Sequence, residues 1–128
     1  MNSDTSFWQA MRQLLLSHFL IVDRPRGTHH PRFSAMIYPL DYGYLENTMS
    51  SDGGGIDVWL GSLNTMTSST GAKILTGILC TFDTLKRDAE IKLLMDCSTD
   101  DVQIIRDFHN DMHTLYIPNP AVEHDLSS

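Results

Sequence analysis

The feature that most limits the possible folds is a run of short strand-like segments placed between two amphipathic helical patterns. The first helix, expected within residues 1–18, has apolar side chains at helical spacing behind a polar start. The second, near residues 98–112, has Ser98 as its N-cap and Asp101 three residues later, the spacing of a capping box. The segments rich in strand formers lie at residues 19–22, 33–48, 55–60, 72–83, 88–97 and 114–118. The pattern predicts an α+β protein.

The bulk properties are those of one ordinary globular domain, with 128 residues and a formal net charge of −7. We therefore expect a single domain over residues 1–128, ending in a flexible tail at residues 119–128. The acidic balance argues against nucleic-acid binding, which depends on neutralising phosphates. The N-terminal segment has neither the layout of a secretory signal nor the length of a membrane span, so no membrane association is expected. Cys80 and Cys97 are interpreted as thiols, and the expected location is cytoplasmic.

Two pairs of aspartates, each with a five-residue spacing, mark the candidate site. Asp52 and Asp57 enclose three consecutive glycines in SSDGGGIDVW, and Asp83 and Asp88 stand at the ends of two consecutive strand segments. Acids at strand ends can converge on one rim, where carboxylates repel each other unless protons or a divalent cation lie between them. Mg²⁺ is the expected cation because it prefers hard oxygen ligands. The alternative is a tight turn in which the glycines serve positive φ angles and Asp52 caps the turn.

Three stretches in order, YPLDYGYLENT, SSDGGGIDVW and FDTLKRDAEIK, resemble the motifs of the family I soluble inorganic pyrophosphatases. Those motifs are a YPxNYGF-type stretch, D-G-D-P-x-D-V and a later D-x4-D-x-K, and the likeness covers roughly residues 21–112. The resemblance implies an OB-like five-stranded β barrel with flanking helices. It also implies hydrolysis of pyrophosphate to two phosphates with several Mg²⁺ ions. Because the family often forms hexamers or dimers, a homo-oligomer is compatible with it.

The resemblance assigns roles to the residues at matching positions. The implied metal ligands are Asp52, Asp57, Asp83 and Asp88. The implied catalytic residues are Tyr38 and Tyr42, which match the active-site tyrosines, and Asp57 or Asp83, which would orient the attacking water. The phosphate-binding candidates are Arg32, in place of a family lysine, together with Arg24, Arg26 and Lys92.

The chain also departs from the family motifs. Gly54 replaces the middle aspartate of the loop, and Glu90 replaces the lysine that follows the second acidic pair. Lys92 shares a strand face with Glu90, about 7 Å further along, and can partly substitute for that lysine. The sequence therefore predicts Mg²⁺-dependent hydrolysis of pyrophosphate or a related phosphoanhydride by an activated water. The alternative is a pyrophosphatase-like module that binds phosphate or metal with weak or no catalysis.

Overall fold

The structure, a computed structural model, describes residues 3–63 and 73–122. Within these ranges it defines two helices and six strands. The helices are α1 (Ser3–Ser17) and α2 (Thr99–Phe108). The strands are β1 (Leu20–Arg24), β2 (Asp41–Leu45), β3 (Ile56–Leu60), β4 (Leu75–Asp83), β5 (Asp88–Met95) and β6 (His113–Pro118). The predicted α+β class is confirmed.

The strands form one sheet in the order β1-β2-β3-β5-β4-β6. Neighbouring strands are antiparallel except β3 and β5, which run parallel and place Val58 beside Leu93. The arrangement is consistent with the expected OB-like fold. The sheet has six strands rather than five because β6 pairs with the outer side of β4. Within the described ranges β1 and β6 are open edges, so the sheet does not close into a barrel.

Each face of the sheet has its own buried core. Alternation along the strands sends Val58 and Leu93 to one face, where they pack with side chains of α1. The next residues, Trp59 and Leu94, point to the other face, where they pack with Ile105 of α2. The α2 face also carries the aromatic and charged residues that build the candidate site.

The start of α2 is fixed by the predicted capping box. Ser98 Oγ accepts a hydrogen bond from the Asp101 backbone N–H, and the Asp101 carboxylate accepts one from the Ser98 backbone N–H. The same carboxylate accepts hydrogen bonds from the backbone and hydroxyl of Ser62. Asp101 therefore ties the helix start to the segment after β3, and the helix ends with His109 packed on Trp59.

The basic stretch between β1 and β2 folds back on itself as a short antiparallel excursion. His29 forms an isolated bridge with Ile37, and the Tyr38 backbone N–H donates to the Thr28 carbonyl. Gly27 has a φ of 86°, which glycine adopts without strain, and its N–H donates to the Tyr38 carbonyl. The excursion therefore returns the chain to the sheet with Tyr38 buried, just before β2 begins.

The first residue of the expected C-terminal tail is anchored to the sheet. Asn119 is buried, its side-chain amide donates to the Leu75 carbonyl, and its backbone N–H donates to the Thr76 carbonyl. Residues 123–128 of that tail, and residues 1–2 of the predicted N-terminal helix, lie outside the described residues. Among the helices that the structure describes, none is both long and apolar enough to span a bilayer.

Candidate functional site

The ammonium group of Lys92 lies at the centre of a polar cluster on the α2 face. Its Nζ is 2.9 Å from Asp57 Oδ2, 3.4 Å from Glu90 Oε2 and 2.8 Å from the Tyr42 hydroxyl. The Lys92 side chain is 5% exposed, and the Asp57 and Glu90 side chains are 22% and 15% exposed. These four residues, together with Asp52, form what we name the charged cluster.

Strand register brings the charged cluster together from distant parts of the chain. In the parallel pairing of β3 with β5, Asp57 and Lys92 each come one position before the Val58–Leu93 pair. They are therefore neighbours across the two strands. Because side chains alternate along β5, Glu90 points to the same face as Lys92. A carboxylate from β3 and a carboxylate from β5 thus meet at one ammonium.

The glycine run places Asp52 beside Glu90. Gly53 has a φ of 87°, a left-handed conformation that favours glycine. Asp52 Oδ1 accepts hydrogen bonds from Ser50 Oγ at 2.6 Å and from the Gly54 backbone N–H at 2.9 Å, and these bonds lower the pKa of Asp52. The Asp52 side chain also lies near enough to Glu90 to raise the pKa of that carboxyl. The loop has the geometry of a capped tight turn, and that same geometry delivers a third acid to the charged cluster.

The charged cluster is not electrically balanced, because two carboxylates pair with one ammonium and a third, that of Asp52, lies near Glu90. Burial raises the pKa of Glu90; Lys92 lowers it, and Asp57 and Asp52 raise it further. Burial alone would lower the pKa of Lys92, but Tyr42 and Asp57 hold that pKa above its usual value. Lys92 therefore stays charged, and the remaining negative charge favours a further cation.

Aromatic rings support the charged cluster from the α2 side. The Tyr42 ring lies 4.6 Å from Trp59 and 5.5 Å from Tyr38, measured between ring centroids. Trp59 is fully buried, and its indole N–H donates to His109 Nε2 at 3.3 Å. Burial, with a smaller effect of Lys92, lowers the pKa of His109 to about 3. The imidazole is therefore neutral and can accept this hydrogen bond, which fixes the ring beneath Tyr42.

The arginines expected to bind phosphate lie in two different settings. Arg24 ends β1, where it pairs with Tyr42 in the strand register. Burial raises the pKa of Tyr38, and the nearby Arg24 partly offsets that rise. Arg26 and Arg32 are exposed on the loop between β1 and β2. The structure therefore brings Arg24 near Tyr38 and Tyr42 and leaves the other two arginines on the surface.

The second acidic pair lies at the turn of the β4–β5 hairpin. Asp83 and Asp88 face each other at the end of the ladder. Asp83 Oδ1 accepts the backbone N–H groups of Leu85 and Lys86 at 2.9 and 3.0 Å, so this carboxylate caps the turn. Asp88 is exposed and precedes Lys92 by four residues, which is about 13 Å along a strand. The pair therefore stands apart from the charged cluster.

The family to which the chain belongs follows from comparison with known proteins. The family model described as inorganic pyrophosphatase matches residues 18–121. That range contains all six described strands, α2 and every member of the charged cluster. The chain belongs to the inorganic pyrophosphatase family. No curated protein and no solved structure gave a match. Helix α1 precedes the matched range, so the pyrophosphatase part begins just before β1.

Glu90 is the charged-cluster residue that comparison with the pyrophosphatase motif did not single out as an acid of the candidate site. The D-x4-D-x-K pattern placed Asp88 at the second acid and Glu90 at the lysine. In the structure, Glu90 and Lys92 are the acid and the lysine that meet at the charged cluster. They have the same acid-x-lysine spacing, but two residues further along the chain. The intact spacing Glu90-Ile91-Lys92 is the signal that could have identified them.

The charged cluster has the donor chemistry for the Mg²⁺ that pyrophosphatases generally use. Asp52, Asp57 and Glu90 offer carboxylate oxygens, and their charge exceeds that of the one ammonium. Lys92 Nζ nevertheless lies between two of these carboxylates. In the described ranges, no three His, Cys, Asp or Glu side chains are arranged as a ready metal centre. The charges suit a divalent cation, but its binding requires the ammonium to move.

An apolar groove of about 650 Å³ lies between α1 and the sheet. Its lining includes Phe7, Ile56 and Ile91, and it reaches Glu90 at one border. Because Ile91 alternates with Glu90 and Lys92 along β5, the groove lies mainly on the opposite face of the sheet from the charged cluster. Its described lining residues include no lysine or arginine. The groove therefore differs from the charged cluster, whose centre is the ammonium of Lys92.

Proposed function

We propose that this protein hydrolyses inorganic pyrophosphate, or a related phosphoanhydride, in a Mg²⁺-dependent reaction with an activated water. The observation that carries the proposal is the meeting of the Lys92 ammonium with the carboxylates of Asp57 and Glu90 and with the Tyr42 hydroxyl, with Asp52 near Glu90, on a pyrophosphatase-family sheet. Phosphoanhydride hydrolysis needs positive charge around the phosphoryl oxygens and a positioned water, and no protein nucleophile. The charged cluster contains groups suited to both tasks.

The carboxylates of the charged cluster form the metal side of the proposed site. Asp52, Asp57 and Glu90 hold the metal. When bound, Mg²⁺ supplies positive charge that stabilises the phosphoryl oxygens and makes the attacking water more acidic. Asp57 accepts a hydrogen bond from that water and orients it for in-line attack. Asp88 lies about 7 Å from Glu90 along β5, further from Lys92. We therefore assign Asp83 and Asp88 to a second ion.

Basic and phenolic groups form the phosphate side of the proposed site. Lys92 and Arg24 bind the phosphoryl oxygens, with Arg24 suited to bidentate contacts. Burial raises the pKa of Tyr42, so its hydroxyl keeps its proton and can donate to the leaving phosphate. Tyr38, stacked on Tyr42 and in contact with Arg24, orients that guanidinium. The two exposed loop arginines attract the anionic substrate from a distance.

Phosphate release from pyrophosphate, measured with and without Mg²⁺, tests this function. The wild type is compared with Asp57→Asn and with Asp111→Asn, a matched control because Asp111 is exposed outside the charged cluster. We expect Mg²⁺-dependent release that falls on the order of 100-fold in Asp57→Asn and persists in Asp111→Asn. Negligible release from folded wild-type protein across the Mg²⁺ range contradicts the proposal.

The second candidate function is binding of phosphate or metal with weak or no catalysis. It is favoured by two observations: Lys92 is already paired with Asp57, and Gly54 offers no side chain where the family motif has its middle aspartate. This function predicts that Mg²⁺ raises the melting temperature while no phosphate is released. The same samples therefore separate the two candidates.

A further inference from the structure

Every N–H donor of Lys92 has an acceptor within the protein. An ammonium carries three donors. Their acceptors are the Tyr42 hydroxyl at 2.8 Å, Asp57 at 2.9 Å and Glu90 at 3.4 Å. The side chain is almost entirely buried, so it has little access to solvent. A phosphate that enters the charged cluster in this state meets a cation whose charge is already engaged by carboxylates.

We propose that Lys92 is an internal counter-ion that makes divalent-cation binding and phosphate binding depend on each other. The inference rests on the proposed function, in which Asp57 and Glu90 hold the metal together with Asp52. Without metal, the ammonium is the shared ion-pair partner of Asp57 and Glu90. When these carboxylates bind a divalent cation instead, Lys92 loses two acceptors and its donors turn to phosphate.

The neighbouring rings make this exchange a local movement. Tyr42 packs at 4.6 Å from the fully buried Trp59 and at 5.5 Å from Tyr38, so its hydroxyl is held in place. Lys92 can keep its bond to this hydroxyl while its other two donors change partners. The lysine stem stays buried, and only the ammonium has to turn.

The exchange has a thermodynamic consequence. Lys92 competes with the metal for Asp57 and Glu90, and these carboxylates compete with phosphate for Lys92. Each ligand therefore removes an obstacle to the other, and by linkage both affinities rise by the same factor. A neutral side chain at position 92 abolishes the competition with the metal.

Mn²⁺ binding, followed by the electron paramagnetic resonance signal of the free ion, tests the inference. The wild type is compared with Lys92→Gln and with Lys86→Gln, a control in the exposed hairpin turn, each with and without inorganic phosphate. Without phosphate, we expect Lys92→Gln to bind Mn²⁺ about tenfold more tightly than the wild type. We expect phosphate to raise the Mn²⁺ affinity of the wild type and of Lys86→Gln about tenfold more than that of Lys92→Gln.

The inference is overturned if Lys92→Gln binds Mn²⁺ no more tightly than the wild type, or if phosphate has the same effect on both. Circular dichroism checks folding. If Lys92→Gln does not fold, Glu90→Gln replaces it: this variant removes one of the two carboxylates that engage Lys92, so phosphate should bind more tightly without Mn²⁺, and an unchanged affinity overturns the inference. Mn²⁺ binding to none of the proteins overturns the proposed function as well. If Mn²⁺ binds equally to the wild type and to Lys92→Gln, the proposed coupling between metal and phosphate binding is overturned while the proposed function is not.

Discussion

The carboxylate of Asp57 and the ammonium of Lys92 lie 2.9 Å apart although 35 residues separate them in the chain. Their contact depends on the parallel pairing of β3 with β5. Both side chains are mostly buried, so removal of one leaves a charge with poor compensation. Substitutions at either position therefore act on stability as well as on chemistry, and activities should be compared at temperatures where each variant is folded.

Glu90→Gln and Asp88→Asn distinguish the acid that the structure places in the charged cluster from the acid that the motif predicted. Glu90 contacts Lys92, whereas Asp88 is exposed at the hairpin. We expect Glu90→Gln to reduce Mg²⁺-dependent phosphate release on the order of 100-fold, and Asp88→Asn to reduce it by less than about tenfold. Steady-state rates at saturating pyrophosphate provide the comparison. The reverse order of effects would assign the site to Asp88.

Gly54→Asp restores the middle aspartate of the family motif. A Cβ at this position would lie 3.3 Å from Asp52 Oδ1, so the Asp52 carboxylate has to shift by a few tenths of an ångström, and the backbone has no positive φ that would oppose a side chain. The added carboxylate repels its neighbours without metal and strengthens divalent-cation binding. The melting temperature should therefore fall in a chelator and gain more from Mg²⁺ than in the wild type. Gly54→Asn is the uncharged control, and an equal gain in that variant would rule out the electrostatic explanation.

Gly43→Ala should destabilise the fold strongly. Gly43 is buried in β2, and a Cβ there would overlap the backbone carbonyl of Ile21 on β1. Relief of this clash requires the two strands to separate, at a cost of about 2 kcal/mol or more in the free energy of unfolding. Urea denaturation measures the loss. Gly54→Ala, on the exposed loop, should change stability by about 0.5 kcal/mol or less, and equal losses at both positions would contradict the clash.

His109 should make the protein less stable as the pH falls below 6.5. Its pKa is lowered from 6.5 to about 3 by burial and by Lys92, so between these values the unfolded chain binds a proton that the folded chain does not. The free energy of unfolding therefore falls by up to about 1.4 kcal/mol per pH unit from this group, until it also titrates in the folded state near pH 3. Urea denaturation from pH 7 to pH 4 measures the slope. His109→Gln retains an acceptor for Trp59 without a titrating ring, and an identical slope in this variant would exclude His109 as the cause.

Much of the fold was predictable because its signals are local. The capping-box spacing of Ser98 and Asp101 predicts the start of α2 from the sequence alone, and the apolar runs predict β4 and β5. The pairing of strands was not predictable in the same way. The parallel contact of β3 with β5 and the position of β6 beside β4 depend on side-chain packing between segments far apart in the chain.

The sequence limits the separation of the acids around the glycine turn, but the motif does not show which acid of β5 pairs with Lys92. Asp52 and Asp57 flank a short glycine turn, so their separation in sequence limits their separation in space. Asp88 and Glu90 lie four and two residues before Lys92 on the same strand, and of these two acids Glu90 is the one within ion-pair distance of the ammonium. The burial of His109 depends on an indole from β3 and also has no local signal.

The parallel pairing also determines when a refolding chain assembles the charged cluster. Contacts between sequence-distant strands form late, because the loop between them must be closed first. The acids from β3 and β5 can meet only after that closure, so a partly assembled chain has helices and hairpins but no charged cluster. A signal that depends on Asp57 lying beside Lys92 therefore reports the docking of β3 on β5 after dilution from denaturant.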